Sequence, residues 1–206
     1  MADEARAPQT RGHRKKERTR RQLVAAGQRV LAEKGHGLTV SDVVAEADVS
    51  NGTFYNYFAD REDLIEAVAE HTALALAADA AERPIEDAAR RFAVATMRML
   101  LHARDDETWA RVLLRLVGRP GAGLDLSRYL REDLAAGYAQ GRFDAEPDDT
   151  TLDQVAGLVI MTIRRMVEGK ARPDAPQQAV ARGLRTLGVD ASEAAALAHE
   201  AAGSTA

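Results

Sequence analysis

Cysteine is absent from this chain of 206 residues, which excludes a disulfide framework, a thiolate nucleophile and any cysteine-ligated zinc or iron–sulfur site. Aromatic residues are scarce, with four Phe, four Tyr and one Trp. Strands draw on aromatic and β-branched residues, so this scarcity beside abundant alanine argues against an all-β fold and for helices. Long apolar runs are missing too. A run such as 157 to 163 stops far short of the roughly 20 residues that a membrane span needs, and residues 1 to 10 have no apolar signal-peptide core. A cytoplasmic protein, neither exported nor membrane-embedded, is expected.

A formal net charge of −4 argues against a polyanion partner only if the charge is evenly spread, and it is not. Residues 11 to 34 hold nine Lys or Arg against two Glu, whereas residues 66 to 206 hold 17 basic and 22 acidic side chains. Two readings fit this asymmetry: a polyanion-binding end joined to a body with another task, or a solvated basic tail.

Proline, which removes an amide donor and clashes with the preceding turn, occurs only at 8, 84, 120, 147, 173 and 176 and divides the chain into stretches that read as helical. Before Pro84, Leu23, Ala26, Val30 and Leu31 recur on one helical face, predicting a helix over about 15 to 34 that Gly35 ends in a left-handed conformation. Thr39 caps a second, shorter helix near Asp42, with Val43, Val44 and Ala47 inward. The chain turns at Asp48 and Val49. Ser50 caps a third helix to about residue 57, and Asp60 a fourth toward Ala81. Further helices are expected at roughly 85–103, 106–117, 124–140, 149–169 and 175–187, with a weaker one after Ser192 and a frayed, alanine-rich C-terminus.

Two short helices joined by a tight turn, after a longer helix with a basic start, make a helix-turn-helix candidate. Eight residues would give the third helix about 12 Å, enough to lie in a major groove. Phe54 and Phe58 share its inner side, which leaves Asn51, Gly52, Thr53, Tyr55 and Asn56 outward or on the flanks. Gly52 costs about 1 kcal/mol relative to alanine in a helix. Close approach of another backbone explains it, as does an ordinary glycine near a cap.

The segment LTVSDVVAEADVSNGTFYNYFADREDL, residues 38 to 64, resembles the DNA-binding signature of the tetracycline-repressor-like (TetR/AcrR) transcriptional regulators. Thr39, Ala45, Ala47, Val49, Ser50, Gly52, Thr53, Tyr55, Tyr57, Phe58, Glu62 and Leu64 stand where that pattern expects them. Asp48 departs from the usual turn glycine and Arg61 from the usual lysine. The resemblance implies that Asn51, Gly52, Thr53, Tyr55 and Asn56 meet the major groove while Thr39, Tyr57 and Arg61 hold phosphates. Asn56 is the strongest candidate for base reading, because Asn pairs bidentately with adenine. Arg14, Lys15, Lys16, Arg18, Arg20 and Arg21 either attract DNA regardless of sequence or form a disordered tail.

The rest of the chain is chemically thin. Histidines at 13, 36, 71, 102 and 199 make no H-E-x-x-H or other metal spacing, Ser127 has no nucleophile-elbow context, and Asp105, Asp106, Asp148 and Asp149 read as helix caps. Gly118, Gly121 and Gly123 surround Pro120 without a P-loop lysine. No enzyme activity, cofactor or metal is expected. The resemblance implies a small-molecule pocket in the body and a homodimer built largely on its last two long helices. Phe92, Met97, Leu101, Trp109, Leu113, Tyr129, Tyr138, Met161 and Met166 either line such a pocket or are plain core. Leu152, Val155, Ala156, Val159, Ile160 and Ile163 give one helix an apolar arc wide enough to be buried on two sides, by its own domain and by a partner, with Leu184 on the following element.

The expectation is an all-α protein: a flexible basic arm at 1–14, a three-helix DNA-binding domain with a helix-turn-helix at 15–62, and a larger helical ligand-binding and dimerisation domain at 63–206. It is expected to bind a double-stranded operator with inverted-repeat half-sites as a homodimer, most simply as a repressor released by a small apolar or aromatic ligand that shifts the fourth helix. A helix-turn-helix regulator without an effector, and a helical small-molecule-binding or catalytic protein, are the alternatives.

Overall fold

A computed structural model describes residues 11–80, 85–117 and 126–204, with side chains described for 13–74, 85–117 and 130–204. Among the described residues the chain is helical without strands: α1 Arg11–Lys34, a 3-10 turn Gly35–Gly37, α2 Val40–Glu46, α3 Asn51–Tyr55, α4 Arg61–Ala80, α5 Ala88–Asp105, α6 Glu107–Leu116, α7 Leu126–Ala139, α8 Asp149–Val167, α9 Ala175–Thr186 and α10 Ala191–Ser204. Two compact units divide it, Met1–Val68 and Ala69–Ala206, and the division falls inside α4. None of the described helices is long and apolar enough to cross a membrane.

In the first unit the predicted apolar stripe of α1 is the core: Leu23, Ala26, Val30 and Leu31 are buried with Leu38, Val43, Phe54, Phe58 and Leu64. Gly27 permits a close approach of α1 and α4, since a Cβ there would lie 3.1 to 3.3 Å from the Leu64 and Val68 side chains. Lys34 pairs with Asp42 at 2.6 Å and Arg29 with Glu46 at 2.5 Å. These solvent-screened pairs align α1 with α2 and add little to stability. Residues 11 to 14, expected in a flexible arm, form the first turn of α1.

The second unit is built around α5, which packs against α6, α7, α8, α9 and α10. Its core holds Phe92, Met97, Leu100, Trp109, Leu113, Leu134, Phe143, Val155, Ile163, Leu184 and Leu187. Gly183 of α9 lets the Phe92 ring lie 3.1 Å from where a Cβ would stand. Arg142, after α7, pairs with Asp87 at 2.6 Å and Glu193 at 2.5 Å, joining the N-cap of α5 to the first turn of α10. The weak, frayed C-terminal helix expected from sequence is instead a 14-residue helix. Ala194, Ala198 and Ala201 are its buried stripe, and small side chains permit close packing that a search for large apolar residues overlooks. Pro147 and Pro173 lie in connections and Pro176 in the first turn of α9, while Pro8, Pro84 and Pro120 lie outside the described residues.

Candidate nucleic-acid interface

Two side-chain caps build the helix-turn-helix. The Thr39 hydroxyl accepts from the Asp42 amide at 3.2 Å and meets Asp42 Oδ2 at 2.7 Å, and the Asp42 carboxylate accepts in return from the Thr39 amide. The Lys34 ammonium, followed by the Thr39 hydroxyl, holds the Asp42 carboxyl below its ordinary pKa. Asp48 takes the left-handed conformation, φ 51°, between α2 and α3, the geometry that a glycine adopts without strain. Gln22 of α1 pins this corner from behind, its side-chain amide donating to the Ala47 carbonyl at 2.6 Å. Sequence reading missed Gln22; a lone glutamine at the edge of an apolar stripe carries no signal. Ser50 then caps α3, accepting from the Thr53 amide at 3.1 Å.

The third helix is shorter than predicted, five residues and about 7.5 Å rather than eight and about 12 Å. It tightens at its end, where the Asn56 amide reaches Thr53 O at 3.2 Å and the Tyr57 amide reaches Phe54 O at 2.9 Å. So short a helix gains little from its own hydrogen bonds. Phe54 and Phe58 hold it instead, buried with ring centroids 5.7 Å apart, and the Arg20 guanidinium lies 5.5 Å from the centre of the Phe58 ring. Arg20, read as part of a DNA-attracting arm, thus packs on the reading element.

Asn51, Gly52, Tyr55 and Asn56 are exposed together. Tyr55 is 58% exposed, set edge-on to Phe54 with centroids 5.3 Å apart. A Cβ on Gly52 would meet only Ser50 Oγ, at 3.8 Å, so the surface there is open to another backbone. Thr53 is half-buried with its hydroxyl 3.0 Å from Ser50 Oγ, which leaves its methyl group as the part free for a base. Tyr57 is half-buried, and Lys15 and Lys16 are exposed on the first turns of α1. Two residues expected on phosphates are engaged within the chain. Thr39 is occupied by its cap. The Arg61 guanidinium donates to Glu62 Oε1 through Nε at 3.0 Å and Nη2 at 2.6 Å, and to the carbonyls of His36 at 3.3 Å and Leu38 at 3.4 Å through Nη1.

Residues 23–68, which hold this assembly, match the family of bacterial regulatory proteins known as tetR, and residues 87–200 match the tetracyclin repressor-like C-terminal domain. The chain belongs to the TetR family of transcriptional regulators. Among solved structures, RolR in complex with resorcinol is 30% identical, over 90% of this chain and 95% of its own, with a TM-score of 0.62. A γ-butyrolactone receptor, an ArpA-like protein, is 22% identical over 93% and 100% with a TM-score of 0.67. FadR from Bacillus subtilis in complex with stearoyl-CoA is 20% identical over 83% and 98% with a TM-score of 0.65. The last two share the fold. No curated protein sequence matches the chain.

In the C-terminal unit of this TetR-family regulator the residues expected to line a pocket separate into two groups. Phe92, Met97, Trp109 and Leu113 are buried in one core, with Leu101 packed against it. Met161 is 50% exposed on α8, away from that interior, while the side chain of Tyr129 lies outside the described residues. Met161, expected in the pocket as a large, adaptable side chain, is turned outward by α8. Polar groups meet at Trp109: its indole N–H donates to the Thr72 carbonyl of α4 at 3.4 Å, and the His102 ring stands edge-on at 4.7 Å. Of the residues expected at the dimer interface, Leu152, Val155, Val159, Ile163 and Leu184 are buried in the unit's own core and Ile160 packs partly against it. A side chain enclosed within its own unit has little surface left for a partner. The exposed side of α8 carries Ala156, Gly157 and Met161. Among the described residues no group of His, Asp or Glu is placed to hold a metal ion.

Proposed function

We propose that this TetR-family regulator is a repressor that acts in the cytoplasm, reads an operator through α3 and leaves it when a small aromatic ligand binds the C-terminal unit. The outward face of α3 carries the reading. Asn51, Gly52, Tyr55 and Asn56 are exposed around two buried phenylalanines, and although the Tyr55 ring edges onto Phe54, more than half of it faces solvent beside two amide side chains. Asn56 supplies both a donor and an acceptor for an adenine edge, Tyr55 stacks or contacts a thymine methyl, and the bare Gly52 lets the backbone come close. Lys15, Lys16 and Tyr57 anchor phosphates.

The effector follows from two observations. RolR, similar over nearly the whole chain, was solved with resorcinol, a small aromatic diol. Here an apolar cluster of Met97 and Leu113 adjoins the polar groups of Trp109, His102 and Thr72, a mixture suited to an aromatic ring bearing a hydroxyl. Residues of α4 belong to both units, which supports a ligand-driven change reaching the DNA-binding unit. Release requires tighter binding to the DNA-incompetent state, by about 1–3 kcal/mol for a modest switch.

The regulator works as a homodimer on inverted-repeat half-sites, joined through the exposed face of α8. On Gly157 a Cβ would meet nothing within 4 Å, so a second helix can approach closely there. Selection from random-sequence duplexes, followed by a thermal-shift panel of hydroxylated aromatics that includes resorcinol, tests the reading. An inverted-repeat consensus and a binder that quenches Trp109 fluorescence and releases the operator support it. Failure to select any sequence overturns the DNA-reading role. Binders that leave operator affinity unchanged overturn the effector role and favour a regulator without one.

A further inference from the structure

The start of α4 is the usual place to look for a phosphate, because the first amides of a helix are unsatisfied and its dipole favours an anion. Here the helix's own carboxylates occupy that end and take up one of those donors. The Asp63 amide donates to Asp60 Oδ1 at 2.9 Å and the Ala59 amide to Asp63 Oδ2 at 2.8 Å. Asp60, Glu62 and Asp63 put three carboxylates around Arg61. A DNA phosphate arriving there meets net negative charge and must take the guanidinium away from Glu62.

Arg61 has a different geometry available to it. Its Nη1 reaches back 25 residues to the His36 carbonyl and 23 residues to the Leu38 carbonyl. Those two carbonyls flank Gly37, immediately before the Thr39 cap, and the chain between them and Arg61 is α2, the Asp48 corner and α3. The guanidinium therefore closes both ends of the helix-turn-helix on each other. Glu62 holds the other edge of the fork through Nε and Nη2. A lysine is a single point of charge on a flexible stem and cannot span two carbonyls and a carboxylate at once.

We propose that Arg61 is a positioning residue for operator reading rather than a phosphate contact: it clamps the first turn of α4 to the connection between α1 and α2 and so fixes the angle at which α3 is presented. The proposal rests on α3 being the DNA-reading element. Its signature differs from that of a phosphate contact, which weakens all sequences alike and adds to the salt dependence, whereas a clamp affects only binding that depends on the register of α3.

The experiment uses the full chain with Arg61→Lys and Arg61→Gln, an operator selected with the unsubstituted protein, and an unrelated duplex of equal length. Dissociation constants are measured by fluorescence anisotropy across about 50 to 300 mM salt, together with thermal melting. Under the proposal both variants lose operator affinity, by about tenfold, while affinity for the unrelated duplex stays within about twofold and the slope of log K against log salt is unchanged. If Arg61→Lys behaves like the original protein while Arg61→Gln weakens both duplexes and flattens the slope by about 0.9 per lost contact, Arg61 is a phosphate contact and the proposal is wrong. Equal losses on both duplexes that track a lowered melting temperature reduce Arg61 to general stability and overturn it as well. Should the unsubstituted protein select no sequence, the reading role of α3 falls and the clamp with it; variants indistinguishable from the original on a selected operator overturn the clamp alone.

Discussion

Asp48 holds φ at 51° at the exposed corner of the helix-turn-helix. An L-residue in this region carries a penalty of about 1 kcal/mol, somewhat less for Asp than for most residues. Replacement by glycine relieves it, while raising the entropy of the unfolded chain takes back part of the gain. A net stabilisation of up to about 0.5 kcal/mol is expected for Asp48→Gly. Asp48→Asn, which tolerates the same backbone, should change stability by under about 0.5 kcal/mol, and Asp48→Ala should lower it by about 1 kcal/mol. Calorimetry of the full chain reads these differences. If both units unfold together the Asp48→Gly midpoint rises by up to about 2 °C; if Met1–Val68 melts separately, its own transition rises by up to about 4 °C. The asparagine variant also isolates the charge: a carboxylate 10 Å from a phosphate costs about 0.4 kcal/mol in water before screening, so Asp48→Asn should tighten every duplex by less than about twofold at low salt and by nothing at high salt. A glycine variant that melts below the original protein, or an alanine variant equal to it, would refute the account of this corner.

Asn56→Ala is expected to cost about 1–3 kcal/mol on the operator and to relax the preference at one base pair per half-site in a repeat selection, with unrelated duplex bound as before. Gly157→Arg should leave the melting of the monomer unchanged or slightly raised, since a side chain there meets open space, yet abolish the dimer in analytical ultracentrifugation; a persisting dimer would move the interface off this face of α8. Arg142→Met removes two ion pairs from a half-buried guanidinium and should destabilise the C-terminal unit by about 1–2 kcal/mol in urea. Burial pushes the Asp87 carboxyl up, but the Arg90 amide and the Arg142 guanidinium outweigh it and hold the pKa below the ordinary value. Its contribution is therefore present above the unfolded carboxylate range and lost as pH falls below about 4 through the depressed folded value. The gap between the original protein and Asp87→Asn should close in urea melts at the acid end, and a gap that widens there contradicts the assignment.

Caps and periodicity made the first unit legible before any coordinates. Thr39, Ser50 and Asp60 each announce a helix start through a local bond to an amide three residues on, and Leu23, Ala26, Val30 and Leu31 mark the buried face of α1. The contacts that decide site chemistry were not local. Nothing near Arg61 in sequence says that its guanidinium meets carbonyls 23 and 25 residues earlier, nor that Gln22 meets Ala47 or Arg20 the Phe58 ring. In the C-terminal unit helical spacing located α8 but left its rotation open, so Val155, expected at a partner, is buried in its own unit and Met161, expected in a pocket, is exposed. The alanine stripe of α10 escaped notice for the opposite reason: its buried residues carry too little apolar area to stand out one by one.

The five-residue length of α3 has a thermal consequence. Forming a helical turn is unfavourable until several hydrogen bonds follow it, and α3 ends before they do. Its order exists only while Phe54 and Phe58 stay seated, so readable DNA sequence and the melting of this corner are one equilibrium. The basic first turns of α1 obey no such condition, because attraction to phosphate needs charge and no particular shape. On warming, the protein should therefore pass through a state that still holds DNA but no longer knows which DNA it holds, and discrimination between operator and random duplex should fade at a lower temperature than binding itself.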